Sequence, residues 1–158
     1  MAMCTELTPW ERVVQFHGHV CPGIAAGYRV AMRMLQELGR QYPPGDECII
    51  RAGKRFCGLD ALQLLLGATY GKGNLQVEAE DRYHFELSLP GQSLRIELEL
   101  TPRLAVYEEQ WQQLFQEKLS PVKNGRKSEI IAEMVELAQQ VMDLEDEEFF
   151  LKVETRQE

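Results

Sequence analysis

The chain has 158 residues, of which 44% are hydrophobic and 27% are charged. This length gives room for one domain with a substantial hydrophobic core, so we expect a single domain over residues 1–158. The chain contains 17 basic and 25 acidic side chains, which gives a formal net charge of −8. Because this charge repels polyanions, we expect no nucleic-acid partner.

The sequence contains no segment that would direct the chain into a membrane. The first ten residues lack the basic and apolar regions of a secretory signal. The most apolar stretch, residues 59–68, includes Asp60 and Gln63, and it is far shorter than the roughly 20 apolar residues of a spanning helix. We therefore expect a soluble protein with no membrane partner.

The four cysteines are spaced irregularly, and none forms a Cys-x-x-Cys pair. A domain of this size does not need crosslinks, so we expect free thiols rather than a disulfide framework. Free thiols are typical of reducing compartments, which makes the cytoplasm the expected location. Cys21 and Cys57 lie in segments that indicate chemistry, whereas Cys4 and Cys48 are assigned no role.

Two helices are predicted in the first quarter of the chain. A capping box formed by Thr8 and Glu11 indicates a helix start, and that helix is expected to end near Phe16. Apolar residues then recur at helical intervals over residues 24–38, and Gly39 ends the second helix.

Cys21 is expected at the N-cap of the second helix, because Pro22 fits its first turn. The free backbone N–H groups and the helix dipole stabilise negative charge there, which favours a thiolate at Cys21. The next turns contain small side chains, which permit close approach of another backbone or of a ligand; these are Gly23, Ala25, Ala26 and Gly27.

The rest of the chain predicts a mostly antiparallel sheet packed against helices. Residues 47–52 resemble a short strand, and an apolar helix is expected from about Asp60 to Gly67. A β-hairpin is expected at residues 83–89 and 94–100. Two further helices follow at residues 106–119 and 128–142, and an edge strand follows at residues 149–153. The predicted fold class is α+β.

Two of the three histidines lie beside a cysteine in the segment His17-Gly18-His19-Val20-Cys21. Imidazole nitrogen and thiolate sulfur are donors that zinc, copper, nickel and iron prefer, and Gly18 permits a turn that aims alternate side chains at one point. Cys57 would add another donor. We therefore predict a transition-metal site at His17, His19 and Cys21, with Cys57 as a candidate third or fourth donor.

Zinc is the favoured metal because mixed imidazole and thiolate donors suit it, and nickel or iron would fit the same residues. The alternative interpretation is structural: one histidine caps the first helix, the other is a solvated loop residue, and Cys57 packs as a small hydrophobic side chain.

Two charged residues are further candidates for the site. Asp60 could orient a ligating imidazole or accept a proton, although it could equally serve as a helix cap. The loop Tyr70–Asn74 offers backbone N–H groups and the ammonium of Lys72, which could hold a carboxylate or phosphate; a plain surface loop is the alternative. The expected catalytic residues are Cys21, Asp60 and Lys72.

Several segments together resemble the FmdE family, which takes its name from a component of formylmethanofuran dehydrogenase. The resemblance is carried by His17–Gly23, by Gly27-Tyr28-Arg29, by Cys57–Gln63 and by Gly71–Leu75. It implies an α+β core that forms homodimers. It also implies a cleft in which His17, His19, Cys21 and Cys57 hold a transition metal such as zinc, with Asp60 and Lys72 nearby. Family members often continue into a cysteine-rich C-terminal zinc finger, which this chain is expected to lack because no cysteine follows Cys57.

Three functions remain open. The first is a metal-dependent enzyme or accessory subunit that acts on a small one-carbon or acyl substrate, with a partner from an oxidoreductase complex related to formylmethanofuran dehydrogenase, as the resemblance implies. The second is a metal-trafficking or redox-sensing binding module that uses Cys21 and Cys57. The third is a non-catalytic partner subunit.

Overall fold

The computed structural model describes residues 5–120 and 124–158. Within these residues the helices are α1 (Pro9–His17), α2 (Pro22–Leu38), α3 (Leu59–Leu66), α4 (Arg103–Leu119), α5 (Lys127–Asp143) and α6 (Asp146–Phe149). The strands are β1 (Ile49–Ala52), β2 (Leu75–Val77), β3 (His84–Leu89), β4 (Leu94–Leu100) and β5 (Phe150–Gln157). The α+β fold class is confirmed. The predicted turn after α4 lies partly outside the described residues, at 121–123.

The five strands form one sheet in the order β2-β1-β3-β4-β5. The pairs β1–β3, β3–β4 and β4–β5 are antiparallel, and β1–β2 is parallel. The predicted hairpin and the predicted edge strand are therefore confirmed. The sequence did not indicate β2, because this strand has only three residues and buries only Leu75.

One face of the sheet forms part of the hydrophobic core. Side chains alternate between buried and half-buried along β3 and in the second half of β4, as their period of two requires. Helix α2 has ten buried residues, and seven of them are hydrophobic side chains of the same core. None of the helices in the described part of the chain is long and apolar enough to cross a membrane.

The helix ends agree with the local sequence signals. Thr8 accepts a hydrogen bond from the N–H of Glu11, and Glu11 accepts one from the N–H of Thr8, which completes the predicted capping box. Gly18 ends α1 in the left-handed conformation with φ 95°, and Gly39 ends α2 in the same way.

Arg29 links α2 to the end of α5. Its guanidinium group donates hydrogen bonds to the carbonyl oxygens of Val141 and Leu144 at 2.9 and 2.7 Å, and it pairs with Asp146. The same group lies 4.2 Å from the ring centroid of Phe149. Because the last carbonyl groups of a helix lack partners within it, Arg29 satisfies polar groups that packing against α2 would otherwise leave unpaired.

Candidate metal centre

The turn between α1 and α2 aims three side chains in one direction. His17 is the last residue of α1, and the left-handed Gly18 reverses the chain immediately after it. Cys21 is the N-cap of α2, where its sulfur accepts a hydrogen bond from the N–H of Ile24 at 3.4 Å. His19 lies between them, so the two helix ends fix the segment on both sides. The predicted N-cap position of Cys21 is confirmed.

A close contact between two backbones brings Cys57 to this turn. A Cβ atom on Gly27 would overlap the backbone of Gly58, and a Cβ atom on Gly58 would lie 2.8 Å from the carbonyl oxygen of Gly23. The small residues of α2 therefore accommodate the start of α3. Cys57 lies just before Gly58, the N-cap of α3, and a Cβ atom on Gly23 would lie only 3.0 Å from the Cβ of Cys57.

The four predicted donors converge. One ligand atom from each of His17, His19, Cys21 and Cys57 lies within 4.8 Å of the other three. His17 Nε2 is 3.2 Å from His19 Nε2 and 3.9 Å from the sulfur of Cys21. Donors around a tetrahedral zinc ion are separated by roughly 3.3–3.8 Å, as its bond lengths require. The group could therefore hold one metal ion with small side-chain adjustments.

Asp60 fixes the orientation of His17. Its carboxylate accepts a hydrogen bond from Nδ1 of His17 at 2.6 Å, and Gln63 donates a longer one of 3.4 Å to the other carboxylate oxygen. An ionised carboxylate can only accept, so the proton lies on Nδ1 and the lone pair of Nε2 faces the other donors. Carboxylates that hold ligating histidines in this way are a recurrent feature of metal sites.

The two cysteines of the group differ in acidity. Hydrogen bonding to Cys21 and to the nearby imidazoles lowers the pKa of Cys57 from 9.0 to about 5. The pKa of Cys21 is raised by its interaction with Cys57 and by its burial. These effects exceed the lowering effect of the backbone N–H groups at the N-cap. In the metal-free group these shifts favour a thiolate at Cys57 over one at Cys21, which opposes the expected effect of the helix N-terminus on Cys21.

Lys72 contacts a different part of the molecule. Its ammonium pairs with Asp46 and donates to the carbonyl of Gly67, which caps the C-terminal end of α3. Asp60 belongs to the first turn of the same helix. The described contacts of Lys72 therefore lie at the opposite end of α3 from those of Asp60, and they do not bring Lys72 to the histidine and cysteine group.

The loop around Lys72 uses its own backbone groups. The N–H of Thr69 donates to Asn74, that of Lys72 donates to Thr69, and that of Tyr70 donates to Gln63. Side chains of the loop and of α3 accept these three N–H groups, which favours the structural interpretation of the Tyr70–Asn74 segment over an anion site.

A cavity of about 300 Å³ borders the two cysteines. Its walls come from the start of α2, from the loop before α3 and from α4. Glu108 of α4 lines it, and its Oε1 would lie 3.0 Å from a Cβ atom on Gly23. Burial raises the pKa of Glu108, although the carboxylate accepts a hydrogen bond from the hydroxyl of Tyr83.

Trp111 connects the cavity to the histidines. Its indole lines the cavity and stacks on His19 with ring centroids 5.3 Å apart. Neither Glu108 nor Trp111 was predicted as a site residue. Both lie in an amphipathic helix remote in sequence from the motif, and only the spatial packing of α4 against α2 brings them there.

Comparison with known proteins gives two partial similarities. A stretch of 68 residues is 29% identical to a protein of Archaeoglobus fulgidus described as a probable S-adenosyl-L-methionine-binding protein, covering 40% of this chain and 19% of that protein. The chain thus matches about a fifth of the length of that relative. A crystal structure of a tungsten formylmethanofuran dehydrogenase FmdE-like protein from Syntrophus aciditrophicus aligns with 92% of this chain and 67% of its own, at 22% identity and a TM-score of 0.45.

A family model gives the more extensive match. The model described as FmdE, molybdenum formylmethanofuran dehydrogenase operon, covers residues 16–151. This range includes the four candidate metal ligands, the cavity residues of α4 and the start of β5. The chain belongs to the FmdE family.

Proposed function

We propose that His17, His19, Cys21 and Cys57 bind one transition-metal ion and that the protein acts on a small one-carbon or acyl substrate, as a metal-dependent enzyme or accessory subunit. The observation that carries the proposal is the location of the donor group: its two cysteines also line a cavity that contains the carboxyl group of Glu108. Donors and a titratable group around one cavity are the usual components of a metal-dependent active site.

Zinc is the proposed metal. Two imidazoles and two thiolates form a donor set that is common in tetrahedral zinc sites. The donor atoms lie within 4.8 Å of one another, so small side-chain adjustments would bring them to zinc bonding distance. Nickel and iron accept the same donors, so the donor set favours zinc without excluding the other two metals.

A difference between the ligands supports a reaction rather than a purely structural metal. Cys21 is buried, and the side chain of His17 is only 9% exposed and hydrogen bonded to Asp60. His19 is exposed and is held by stacking on Trp111. We propose that His19 is the displaceable ligand. His17, Cys21 and Cys57 would then hold the metal, which would supply Lewis acidity to a small bound molecule.

The surrounding residues have separate proposed roles. Asp60 is a positioning residue, because it acts through His17. Glu108 is the proposed proton carrier in the cavity, since its raised pKa brings a carboxyl group closer to neutral pH, where it can both donate and accept a proton. We assign Cys21 to the metal rather than to nucleophilic attack, and we assign Lys72 no part in the reaction.

The partners are also proposals. The family description, which refers to a formylmethanofuran dehydrogenase operon, supports an oxidoreductase complex as the partner. We propose in addition that the protein forms a homodimer and works in the cytoplasm.

A second candidate function is metal trafficking. Four protein donors are sufficient to complete a tetrahedral site, which would leave no position for a substrate. The exposed His19 would then serve as the point where metal enters and leaves. In this case the cavity beside the cysteines has no catalytic role.

The first experiment is elemental analysis of the purified, untagged protein beside Cys21→Ala, Cys57→Ala and Cys48→Ala. We expect about one equivalent of a transition metal per chain in the unchanged protein and in Cys48→Ala, and none in the other two variants. Cys48 is buried away from the donor group, so it controls for the loss of a thiol. Absence of metal under every loading condition would refute both candidates.

Cobalt substitution of the His19→Ala variant then separates the two candidates. The enzyme proposal predicts that this variant keeps its metal and that solvent or an added anion changes the cobalt absorption spectrum. The trafficking proposal predicts that His19→Ala loses metal affinity as strongly as Cys57→Ala does.

A further inference from the structure

The carboxylate of Asp60 has a second hydrogen-bond donor besides His17. Gln63, one turn further along α3, donates from Nε2 to Oδ1 of Asp60 at 3.4 Å, while Oδ2 accepts from Nδ1 of His17 at 2.6 Å. The last torsion of an aspartate side chain is soft, and the side chain of Asp60 is 37% exposed, so packing alone does not fix the plane of its carboxylate. The two donors together do fix it, because each oxygen has its own partner.

Two neighbours allow the side-chain amide of Gln63 only one orientation. The backbone N–H of Tyr70 donates to its Oε1 at 3.1 Å. A backbone N–H can only donate and an ionised carboxylate can only accept, so the amide oxygen must face Tyr70 and the amide nitrogen must face Asp60. Exchanging the two atoms would break both hydrogen bonds. Tyr70 therefore holds Gln63 as a donor to Asp60.

The loop that supplies this N–H group is anchored beside β1. The side chain of Asn74 accepts from the N–H of Thr69 at 3.0 Å and donates to the carbonyl oxygens of Gly45 and Cys48, both at 3.1 Å. These bonds tie the segment 69–74 to residues that precede β1. The side chain of Tyr70 is exposed, so it is the backbone of the loop that reaches α3.

We infer that Gln63 is a positioning residue of the metal centre and that the backbone of the Thr69–Asn74 loop sets its orientation. The hydrogen-bond chain runs from the N–H of Tyr70 through Gln63 and Asp60 to His17. As a statement about metal binding, this role rests on the proposed function, whereas the link between Tyr70 and Asp60 needs no metal. Because coupling between two sites is reciprocal, a metal held by His17 should also stabilise the loop.

Gln63→Met tests the role by its effect on metal affinity, measured by competition with a chromogenic chelator. Methionine has a similar length and a similar helix propensity, so α3 should fold normally. We expect a loss of roughly three- to tenfold, smaller than that for Asp60→Ala because Gln63 is one hydrogen bond further from the metal. Gln139→Met is the matched control: Gln139 donates to Asp143 at 2.9 Å within α5, outside the donor group, and its loss should leave affinity unchanged.

A double-mutant cycle separates positioning from a general effect on α3. In the Asp60→Ala background, Gln63→Met should cause no further loss of affinity, because Gln63 acts on the metal only through Asp60. An equal loss in both backgrounds would show that Gln63 acts by another route and would overturn the positioning role. Full affinity in the single variant would overturn it as well.

Amide hydrogen exchange at Tyr70, followed by NMR in the metal-free protein, tests the hydrogen-bond chain without the metal. We expect faster exchange in both Gln63→Met and Asp60→Ala, because the second change releases the amide that accepts from Tyr70. Gln139→Met should exchange like the unchanged protein. Unaltered exchange in Asp60→Ala would refute the link between the loop and Asp60.

The two measurements distinguish a failure of this role from a failure of the proposed function. If the unchanged protein binds no metal, the proposed function and the metal role of Gln63 both fail, and the exchange rates still decide whether the loop orients Asp60. If metal binds and Gln63→Met keeps full affinity, Gln63 has no positioning role and the metal centre remains.

Discussion

The carboxylate of Asp60 and the Nδ1 atom of His17 are joined by a hydrogen bond of 2.6 Å between the first turn of α3 and the last residue of α1. This bond presents Nε2 of His17 to the sulfur of Cys21. Two elements separated by more than forty residues in the chain therefore cooperate to orient one imidazole.

Replacing Asp60 with alanine should weaken metal binding by roughly 10- to 100-fold, the usual effect of losing a carboxylate that orients a ligating histidine. Competition with a chromogenic chelator measures this change directly. Asp60→Asn should recover part of the affinity, because its amide oxygen still accepts from Nδ1. Asp46→Ala removes a carboxylate from the ion pair with Lys72 instead and should leave affinity unchanged; an equal loss there would contradict the assignment.

Alkylation of the metal-free protein should occur first at Cys57. Its pKa of about 5 lies below neutral pH, so Cys57 is thiolate at pH 7 and its rate should fall only as the pH drops towards 5. Cys21 is buried with a raised pKa, and burial raises the pKa of Cys48 to about 11, so both should react slowly. Peptide mapping by mass spectrometry after iodoacetamide treatment, in a Cys4→Ser background, measures each site. Preferential labelling of Cys21 would contradict the acidity order.

Gly27→Ala should destabilise the protein by about 1–3 kcal/mol or more, the range for overpacking a well-packed core. The added methyl group would overlap the backbone of Gly58, which cannot move away as a flexible side chain could. Urea unfolding followed by circular dichroism measures the free energy of unfolding. Gly91→Ala is the matched control, because nothing lies within 4 Å of the added atom there. Equal stabilities for the two variants would show that α2 and α3 are not in backbone contact.

Arg29→Gln should lower the free energy of unfolding by about 1–3 kcal/mol, because it leaves two partly buried carbonyl groups at the end of α5 without their donor. The same urea unfolding experiment measures it. Arg126→Gln removes three exposed ion pairs and should change stability little, since such pairs contribute little at the surface. If Arg126→Gln lowered the free energy of unfolding more than Arg29→Gln did, the greater contribution assigned to the less exposed Arg29 would be wrong.

Local signals in the sequence were sufficient to predict most elements near the site. The capping box of Thr8 and Glu11, the helix stop at Gly39 and the hairpin before α4 each depend on residues close together in the chain. The convergence of the two histidines with Cys21 was predictable for the same reason. The prediction that Cys57 joins this group depended on the family resemblance, because no periodicity relates Cys57 to the first motif.

Other features depend on tertiary packing and had no local signal. Strand β2 has only three residues, Leu75–Val77. They form a strand because β1 supplies parallel hydrogen-bond partners for them. Glu108 and Trp111 reach the cavity only through the packing of α4. The acidity of Cys57 was also unpredictable, because it arises from contacts with Cys21 and the imidazoles rather than from a helix N-terminus.

The register of the sheet separates the candidate site from the β3–β4 turn. Ala52, which leads towards Cys57, pairs with Phe85, whereas Ile49 at the other end of β1 pairs with Ser88. The β3–β4 turn and Glu158, whose N–H bonds to the carbonyl of Ser93, therefore lie at the end of the sheet away from the donor group. A fluorescent label at Gly91 or an immobilisation tag after Glu158 would leave the cavity and its ligands accessible, so that surface-based binding assays can be built on this chain.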